Sequence, residues 1–422
     1  MAPDRSVQPP LIPAHLPRKL SIDLWIWSWI SAATPGEPYD DLERCVLETK
    51  ARGFNAVRIE AGLNWAFTLD GQPRGPVSFG PWIAGYSGNA ASADARGGGR
   101  HDVLERVLHL FELARRHDLY VILTSWEYQD SSWFVAEPAL RAEVFAIPPE
   151  RRFRHLAEQH DRLLNLLKAR GLASHVAFVE IHNEPDCSDL PQGADGKRLH
   201  TEAIALLRAR HPDILVSGDF AGHDYALVPD NVQVFDQHVY AAVGWYFEHI
   251  YKQTVLSQEF DPRQPRALEP LRRILKDEIV PWDVFIGPAR NVKPFWHPMM
   301  WLYENIDNAK WDAWVAEMFP QWKDRIWAEA RKRFAEDAQE AGRRGLPLVF
   351  DEGGYFAPPR LSQFELTPAG LSLFELFADL AIAHNYWGFM PWTFCSPDHL
   401  IWHQDPEWLR RINARFQSGS LQ

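Results

Sequence analysis

The sequence predicts an α/β fold, a (β/α)8 TIM barrel in which eight parallel strands are surrounded by helices. Two observations support this prediction. Short apolar runs alternate with amphipathic stretches along the chain, as in successive βα units around a parallel sheet. The length of 422 residues also suits one such barrel with insertions. We therefore expect a single catalytic domain over residues 1–422, with residues 1–20 as an N-terminal extension.

Each strand is an apolar run bounded by turn residues or by an amphipathic stretch. The eight predicted strands are 21–27, 54–59, 119–125, 176–181, 214–217, 232–235, 346–350 and 387–391. The predicted helices have apolar residues at helical spacing and cover about 39–52, 101–117, 150–170, 197–210, 321–342 and 364–384. So few residues separate strands five and six that the helix between them should be short or degenerate.

Two connections exceed the usual loop length, about 61–100 after strand two and about 241–320 after strand six. Loops that follow strands lie on the catalytic face of such a barrel. We therefore expect both insertions to form walls or a lid around a site, with the run NVKPFWHPMMW at 291–301 as the lid.

Composition narrows the ligand class. The formal charge of −12, without a long Lys/Arg block, argues against a nucleic-acid partner, since nucleic-acid binding depends on neutralising phosphates. The 19 Trp, 24 Phe and 11 Tyr residues suit a sugar, which has apolar faces and a polar rim, although a large aromatic core would also account for them.

The cysteine count and the apolar segments bear on the location of the protein and its assembly. The odd count of three cysteines argues against a disulfide framework. The first twenty residues lack the apolar segment of a secretory signal, and no apolar run is long enough to span a bilayer. We expect a cytoplasmic protein that needs no cofactor or metal and binds no membrane. The sequence does not decide whether the protein self-associates through its insertions.

Two motifs carry the chemistry. VEIHNEP at 179–185 and LVFDEGG at 348–354 each place a glutamate, Glu184 or Glu352, at the carboxyl end of a buried strand. Strands four and seven face each other across the barrel, so these two carboxyl groups could meet. Cleavage of a glycosidic bond needs such a pair, one group as a proton donor and one as an attacking carboxylate.

The order and context of these motifs resemble glycoside hydrolase clan A, and family 5 (cellulase-like) in particular. The resemblance implies that Glu184 is the acid/base, that Glu352 is the nucleophile and that Asn183 binds the sugar 2-hydroxyl. It further matches an arginine at strand two, a His-x-Tyr at strand six and a tryptophan at strand eight, here Arg58, His238, Tyr240 and Trp392.

The types of these residues also predict how the pKa values of the two glutamates are shifted. A cation beside Glu352 and a hydroxyl donating to it would lower its pKa, whereas burial and the neighbouring charge would raise the pKa of Glu184. His238 has an alternative interpretation as a structural histidine of the barrel. We expect Asp351 to be structural and to point away from Glu352, and Glu180 and His182 to belong to a buried network.

The strand-three region departs from the family pattern. Where relatives have a histidine, this chain reads VILTSWEYQ, so Trp126 and Glu127 are predicted to form a variant wall of the sugar site. Trp65 and Trp296 lie in loops on the same face and are candidates for stacking on a sugar, with packing of the insertions as the alternative.

Together these observations predict a retaining β-glycosidase that acts by double displacement on a small carbohydrate. Exo action on short oligosaccharides is favoured, and β-mannosides are preferred over β-glucosides because family 5 includes intracellular exo-β-mannosidases. The alternatives are an endo-acting mannanase- or cellulase-like enzyme, a metal-dependent barrel hydrolase and an inactive carbohydrate-binding barrel.

Overall fold

A computed structural model of the protein describes residues 12–81, 97–286, 293, 297–359 and 361–419. Eight parallel strands form a closed barrel in which each strand pairs with its neighbours in the chain and the last pairs with the first. The predicted (β/α)8 barrel is therefore confirmed. The strands are β1 (Leu20–Ile26), β2 (Ala56–Glu60), β3 (Tyr120–Thr124), β4 (Val176–Glu180), β5 (Val216–Phe220), β6 (Val234–Gln237), β7 (Leu348–Phe350) and β8 (Gly388–Phe389).

The larger helices pack around the barrel. They are α1 (Leu42–Ala51), α2 (Val103–His117), α3 (Pro149–Ala169), α4 (Gly193–Arg210), α5 (Asn308–Arg344), α6 (Pro368–Ala383) and α7 (Pro406–Ser418). Several begin at a side chain that accepts a backbone N–H of the first turn, as Asp41 does for α1 and Asp102 for α2. Residues 221–233, all of which the structure describes, contain no helix, in agreement with the degenerate unit expected between β5 and β6.

The insertions follow β2 and β6, as predicted. The first contains the helix Leu63–Ala66 and an antiparallel pair of short strands, Val77–Phe79 and Gly99–His101. The second contains the helices Ala241–Tyr246, Leu271–Ile274, Trp282–Ile286 and His297–Asn305. Three further helices, Ser28–Ser31, Pro138–Phe145 and Leu400–Gln404, also lie in segments that follow barrel strands.

The helix before β7 is longer than predicted. The sequence prediction places its start near residue 321, but α5 begins at Asn308 and passes through Pro320, a residue that usually breaks or kinks a helix. Trp311, Trp314 and Phe319, on the part of the helix before or beside the proline, are all buried. Tertiary packing therefore outweighs the missing N–H of Pro320, and the second insertion ends near residue 307 instead of 320.

Burial accounts for most of the aromatic content. Many of the tryptophans belong to one continuous apolar core, including Trp25, Trp29 and Trp402. The three cysteines are free thiols. Within the described residues, none of the helices is both long enough and apolar enough to cross a membrane.

Candidate functional site

Arg58, on β2, is the centre of a buried polar cluster at the carboxyl end of the barrel. Its guanidinium group is fully buried and can only donate hydrogen bonds. It contacts five acceptors on or just after three other strands, β4, β5 and β7, at 2.7 to 3.0 Å: Glu180, Asn183, Asp219, Asp351 and Glu352. The surrounding carboxylates, Asp351 and Glu180 first among them, outweigh the effect of burial and raise the pKa of Arg58 well above its ordinary value.

The carboxyl end of β4 presents Glu184 to this cluster through an unusual backbone. Glu184 has φ 40° and ψ 62°, a left-handed conformation that few residues other than glycine adopt. Its N–H donates to Oδ2 of Asp219 at 3.2 Å, which holds the turn in place. The run Asn183-Glu184-Pro185 therefore redirects the side chain at the end of the strand into the mouth of the barrel.

Glu184 and Glu352 meet as the sequence predicts. An oxygen of each carboxyl group lies within 4.8 Å of one on the other. The hydroxyl group of Tyr240 contacts Oε1 of Glu184 and lies 2.9 Å from Oε1 of Glu352, so it bridges the pair. The side chain of Glu352 is 15% exposed and Glu184 is 6% exposed, which leaves the pair reachable from the mouth of the barrel.

His238, which follows β6, is the second cation of the site. Its Nδ1 lies 2.7 Å from Oε1 of Glu184, and its Nε2 lies 3.3 Å from Oδ1 of Asp351. Burial lowers the pKa of this histidine, but the charges of Glu352, Asp351 and Glu184 raise it well above the ordinary value. His238 therefore contacts the candidate acid/base directly.

The pKa order of the two glutamates is the reverse of the one expected from the sequence. Burial raises the pKa of Glu184, but the hydrogen bond and charge of His238, with the donors Tyr240 and Gln129, bring it below its ordinary value. Burial also raises the pKa of Glu352, and the charge of Glu184 adds to it, so that His238 and Arg58 do not bring it down. In the substrate-free protein, Glu352 therefore has the raised pKa of the pair and Glu184 the lowered one.

Asp351 does not point away from Glu352, which corrects the expectation drawn from strand alternation. Both carboxyl groups contact Arg58, at 3.0 and 2.9 Å. Strand β7 ends at Phe350, so the alternation of side chains no longer holds at the next two residues. Asp351 is fully buried, and its charge is stabilised by Arg58 and His238, which lower its pKa to about 2 despite burial.

Trp392 does not lie where the resemblance implies. Its ring stacks on Phe374 of α6 at 4.3 Å and meets Trp408 of α7 edge-on, and it is 1% exposed. The ring therefore packs between the barrel and its helices and offers no free face to a sugar. Phe394, two residues later, instead lies 4.7 Å from Tyr355, whose ring contacts Tyr240.

The strand-three candidates separate into two roles. Trp126 lies against the guanidinium group of Arg58, with 4.8 Å between the ring centre and Cζ, so it borders the site. Glu127 is fully buried and turns away, since it accepts the N–H of Asn64 at 2.9 Å in the loop after β2. Glu127 therefore does not form the wall of the sugar site expected from the sequence, but stabilises the loop after β2.

Two further tryptophans were candidates for stacking. Trp65 lies in the helix Leu63–Ala66 and is 1% exposed, so it packs the first insertion and does not present a face to a ligand. Trp296 lies outside the described residues.

Sequence reasoning missed Gln129. This residue, four positions beyond the predicted end of strand three, donates from Nε2 to Oε2 of Glu184 at 2.9 Å and accepts from Nδ2 of Asn183 at 2.7 Å. The only signal in the sequence was a polar residue in the segment that lacks the family histidine.

Below the glutamate pair lies a set of fully buried acids. Burial is the first cause that raises the pKa of Asp219 to about 7 and the pKa values of Glu180 and Asp236 well above their ordinary values. Among the described residues, two groups have ligand atoms close enough for a metal ion, Glu184–His238–Glu352 and Asp236–His238–Asp351. Arg58 and His238 supply positive charge at the same place, so the absence of a metal stays a prediction.

A barrel whose strand ends bring two glutamates, an arginine, a histidine and a tyrosine together resembles the clan A glycoside hydrolases in its architecture. The family model described as sugar-binding cellulase-like matches residues 22–184, from β1 to Glu184 itself. The chain thus resembles the sugar-binding cellulase-like family in sequence over this region, which is less than half of its length.

The solved structures support the fold. A protein from Parabacteroides distasonis described as a glycoside hydrolase is 16% identical, with a TM-score of 0.68 over 96% of both chains. A variant of the glycoside hydrolase family 5 mannosidase from Rhizomucor miehei, bound to mannosyl-fructose, is 11% identical, with a TM-score of 0.52 over 98% of this chain and 97% of that one. No curated protein sequence matches the chain significantly.

Proposed function

We propose that the protein is a retaining β-glycosidase in which Glu352 is the nucleophile and Glu184 is the acid/base. The observation that carries this proposal is the approach of the two carboxyl groups to within 4.8 Å, bridged by Tyr240. Retaining enzymes need their carboxyl groups about 5 to 5.5 Å apart, whereas inverting enzymes leave about 6.5 to 9.5 Å for an extra water.

The reaction has two steps. In the first, an oxygen of Glu352 bonds to the anomeric carbon while the bond to the leaving oxygen breaks and Glu184 gives that oxygen its proton. In the second, water attacks the anomeric carbon, Glu184 takes a proton from that water, and Glu352 departs as a carboxylate. The sugar leaves with its β configuration retained.

The first step requires the proton on Glu184 and a charged Glu352. The hydroxyl group of Tyr240 contacts both carboxyl groups, so it can accept the proton of Glu352 while it donates its own proton to Glu184. Arg58, 2.9 Å from Oε2 of Glu352, stabilises the charge left behind. Tyr240 thus provides a path for a proton between the two carboxyl groups.

Exo action on short oligosaccharides fits the way the insertion after β6 closes over the barrel. Lys293 of this insertion forms an ion pair with Asp189 in the loop after β4, with 3.0 Å between Nζ and Oδ2. Tyr303 of the same insertion donates to the carbonyl of Ala357, in the loop after β7. Contacts across the mouth from one loop to others favour a closed pocket over an open cleft for a polymer.

For the sugar, we propose β-mannosides first and β-glucosides next. The Rhizomucor miehei mannosidase, which is similar in fold, agrees with this order. A cytoplasmic enzyme would meet such sugars as imported short oligosaccharides.

A panel of 4-nitrophenyl glycosides tests the activity. We expect turnover of at least one β-glycoside by the wild type, and a loss of at least about a thousandfold in kcat for Glu352→Gln. Glu143→Gln, which removes a partly exposed carboxylate outside the site, serves as the matched control and should retain activity. A 2-deoxy-2-fluoro glycoside should label position 352, and proton NMR should show the β product first. Labelling at another residue, or an α product, would overturn the assignment.

The exo mode has its own test. Incubation with a defined oligosaccharide should release one monosaccharide at a time from the non-reducing end. Rapid loss of viscosity in a mannan or glucan solution, with products of mixed length, would show endo action instead.

A further inference from the structure

A chain of hydrogen bonds runs from Arg58 to Glu184 in a fixed direction. Arg58 can only donate, so Asn183 must turn its Oδ1 toward it, at 2.7 Å. The amide nitrogen of Asn183 then faces Gln129 and donates to its Oε1, at 2.7 Å. Gln129 is left with its own amide nitrogen toward Glu184, at 2.9 Å from Oε2. The arginine thereby sets the orientation of both amides.

The chain is held in that direction by burial. Asn183 is 1% exposed and Gln129 is 8% exposed. Flipping either amide would set two donors or two acceptors against each other in a site with little access to water, and a buried polar group without a partner is costly. Gln129 is therefore a permanent donor to Oε2 of Glu184.

We propose that Gln129 positions the carboxyl group of Glu184, so that Oε2 always accepts a hydrogen bond and the proton Glu184 transfers is carried on Oε1. This inference rests on the proposed role of Glu184 as the acid/base. Oε1 is the oxygen that contacts Tyr240, and it also lies 2.7 Å from Nδ1 of His238, so the proton exchanged through Tyr240 is carried on this oxygen. In the second step, the amide of Gln129 stabilises the carboxylate that acts as the base.

The same arrangement changes what Asn183 can offer to a sugar. Its Oδ1 is engaged by Arg58 and one amide hydrogen by Gln129. The second amide hydrogen is left for the sugar 2-hydroxyl, so Asn183 acts as a donor to that hydroxyl. Gln129 thus fixes both the acid/base and the neighbouring group that the family resemblance assigns to the substrate.

Several charged or titratable groups face Glu184 from other elements and set its protonation together with Gln129. These groups are His238 and Tyr240 after β6, Glu352 after β7, Asp219 on β5, and His182, Asp186 and Cys187 after β4. Because these groups are unchanged when Gln129 is replaced, a shift in the titration of Glu184 reports the loss of the amide donor.

The decisive variant is Gln129→Met, which keeps the shape of the side chain and removes its hydrogen bonds. Gln129→Glu, which keeps the length, is the second variant in case the first folds poorly. Gln159→Met is the matched control, since Gln159 is a buried glutamine of α3 that donates to the carbonyl of Thr68. Carbon-13 NMR of protein labelled in its glutamate carboxyls, with the Glu184 signal assigned by its absence in Glu184→Gln, follows the titration without any need for turnover.

We expect the titration of Glu184 to move up by about one pH unit in Gln129→Met, since a donor to the charged form is lost. Gln129→Glu should move it at least as far, because a second carboxylate then faces Glu184. Gln159→Met should leave it in place. An unchanged titration in folded Gln129→Met and Gln129→Glu would overturn the proposal.

Kinetics separate positioning from a general loss of structure. For glycosides with poor leaving groups, which need the acid, kcat/KM should fall about 10- to 100-fold in Gln129→Met. For a 2,4-dinitrophenyl glycoside, which leaves without a proton, it should stay within about threefold. Equal losses on both substrates would reject the positioning role. A wild type inactive on every glycoside would reject the proposed function instead, while the NMR titration would still decide the role of Gln129.

Discussion

The hydroxyl group of Tyr240 lies 2.9 Å from Oε1 of Glu352 and also contacts Oε1 of Glu184. One hydroxyl hydrogen cannot be donated to both carboxylates at once, so the bridge suits a pair that carries a single proton. Two ionised carboxylates at this distance would repel each other, and two protonated ones would lack an attacking group. The Tyr240 hydroxyl therefore influences which of the two glutamates can donate a proton and which can attack as a carboxylate.

Tyr240→Phe should lower kcat by about 10- to 100-fold, because it removes the proton path and a donor to both glutamates. The pH range of activity should also change, since both pKa values of the pair depend on this hydroxyl. Steady-state kinetics from pH 4 to 9 check the expectation. Tyr386→Phe, which removes a buried hydroxyl outside the site, is the control, and equal kinetics for the two variants would refute the role of the bridge.

The fold was predictable from the sequence because strands of a parallel barrel are buried on both faces and read as apolar runs. The glutamates were predictable too, since charges at the ends of such runs, as at 184 and 352, are conspicuous. Contacts made beyond the strand ends were not: Gln129 reaches Glu184 from an irregular loop, and Asp351 turns toward Arg58 only because β7 stops at Phe350. The direction of the pKa shifts likewise depends on His238, whose distance to Glu184 is set by folding.

Arg58→Met should lower the free energy of unfolding by about 3 to 5 kcal/mol, because four buried carboxyl groups lose their shared cation. The free energy of unfolding of Arg58→Lys should be intermediate between those of Arg58→Met and the wild type. Lysine keeps the positive charge, but its ammonium group cannot reproduce the planar set of donors of arginine. Urea denaturation at pH 7 measures both. Arg74→Lys, in the more exposed pair with Glu143, should change stability by less than about 1 kcal/mol. A similar small change in Arg58→Met would show that the cluster is neutralised by protons alone.

Trp392→Phe should reduce stability more than catalysis. The indole ring fills space between Phe374 and Trp408, so a smaller ring leaves a cavity that costs about 1 to 3 kcal/mol. Phe394→Ala should also reduce stability but should raise KM as well, because Phe394 lies beside Tyr355 at the wall near Tyr240. Thermal unfolding and kinetics on the same samples compare the two. A large KM effect in Trp392→Phe would restore the sugar-stacking role that its burial argues against.

Removal of metal should not change activity. The two groups near His238 bring carboxylates close together, but Arg58 and His238 supply the positive charge that such groups need. Dialysis against EDTA followed by kinetics, with metal analysis of the untreated protein, tests this. A stoichiometric metal whose removal abolishes turnover would favour the metal-dependent hydrolase instead.

Asp23, on β1, should make the protein less stable as the pH rises. The carboxyl group is fully buried, and burial raises its pKa to about 8, from 3.8, although Trp25 and Thr49 donate to it. Between about pH 4 and 8, the unfolded chain has lost this proton while the folded protein retains it. Its contribution to the free energy of unfolding is therefore complete below about pH 4 and declines by up to about 1.4 kcal/mol per pH unit through pH 8.

Asp23→Asn removes the titration and keeps an oxygen for Trp25. The variant should match the wild type near pH 4 and exceed its stability by a few kcal/mol at pH 8. Denaturation curves across this range, with the exposed Glu278→Gln as the control, measure the difference. Parallel curves for Asp23→Asn and the wild type would mean that Asp23 is ionised in the folded protein, with its charge stabilised by Trp25, Thr49 and the distant Arg52.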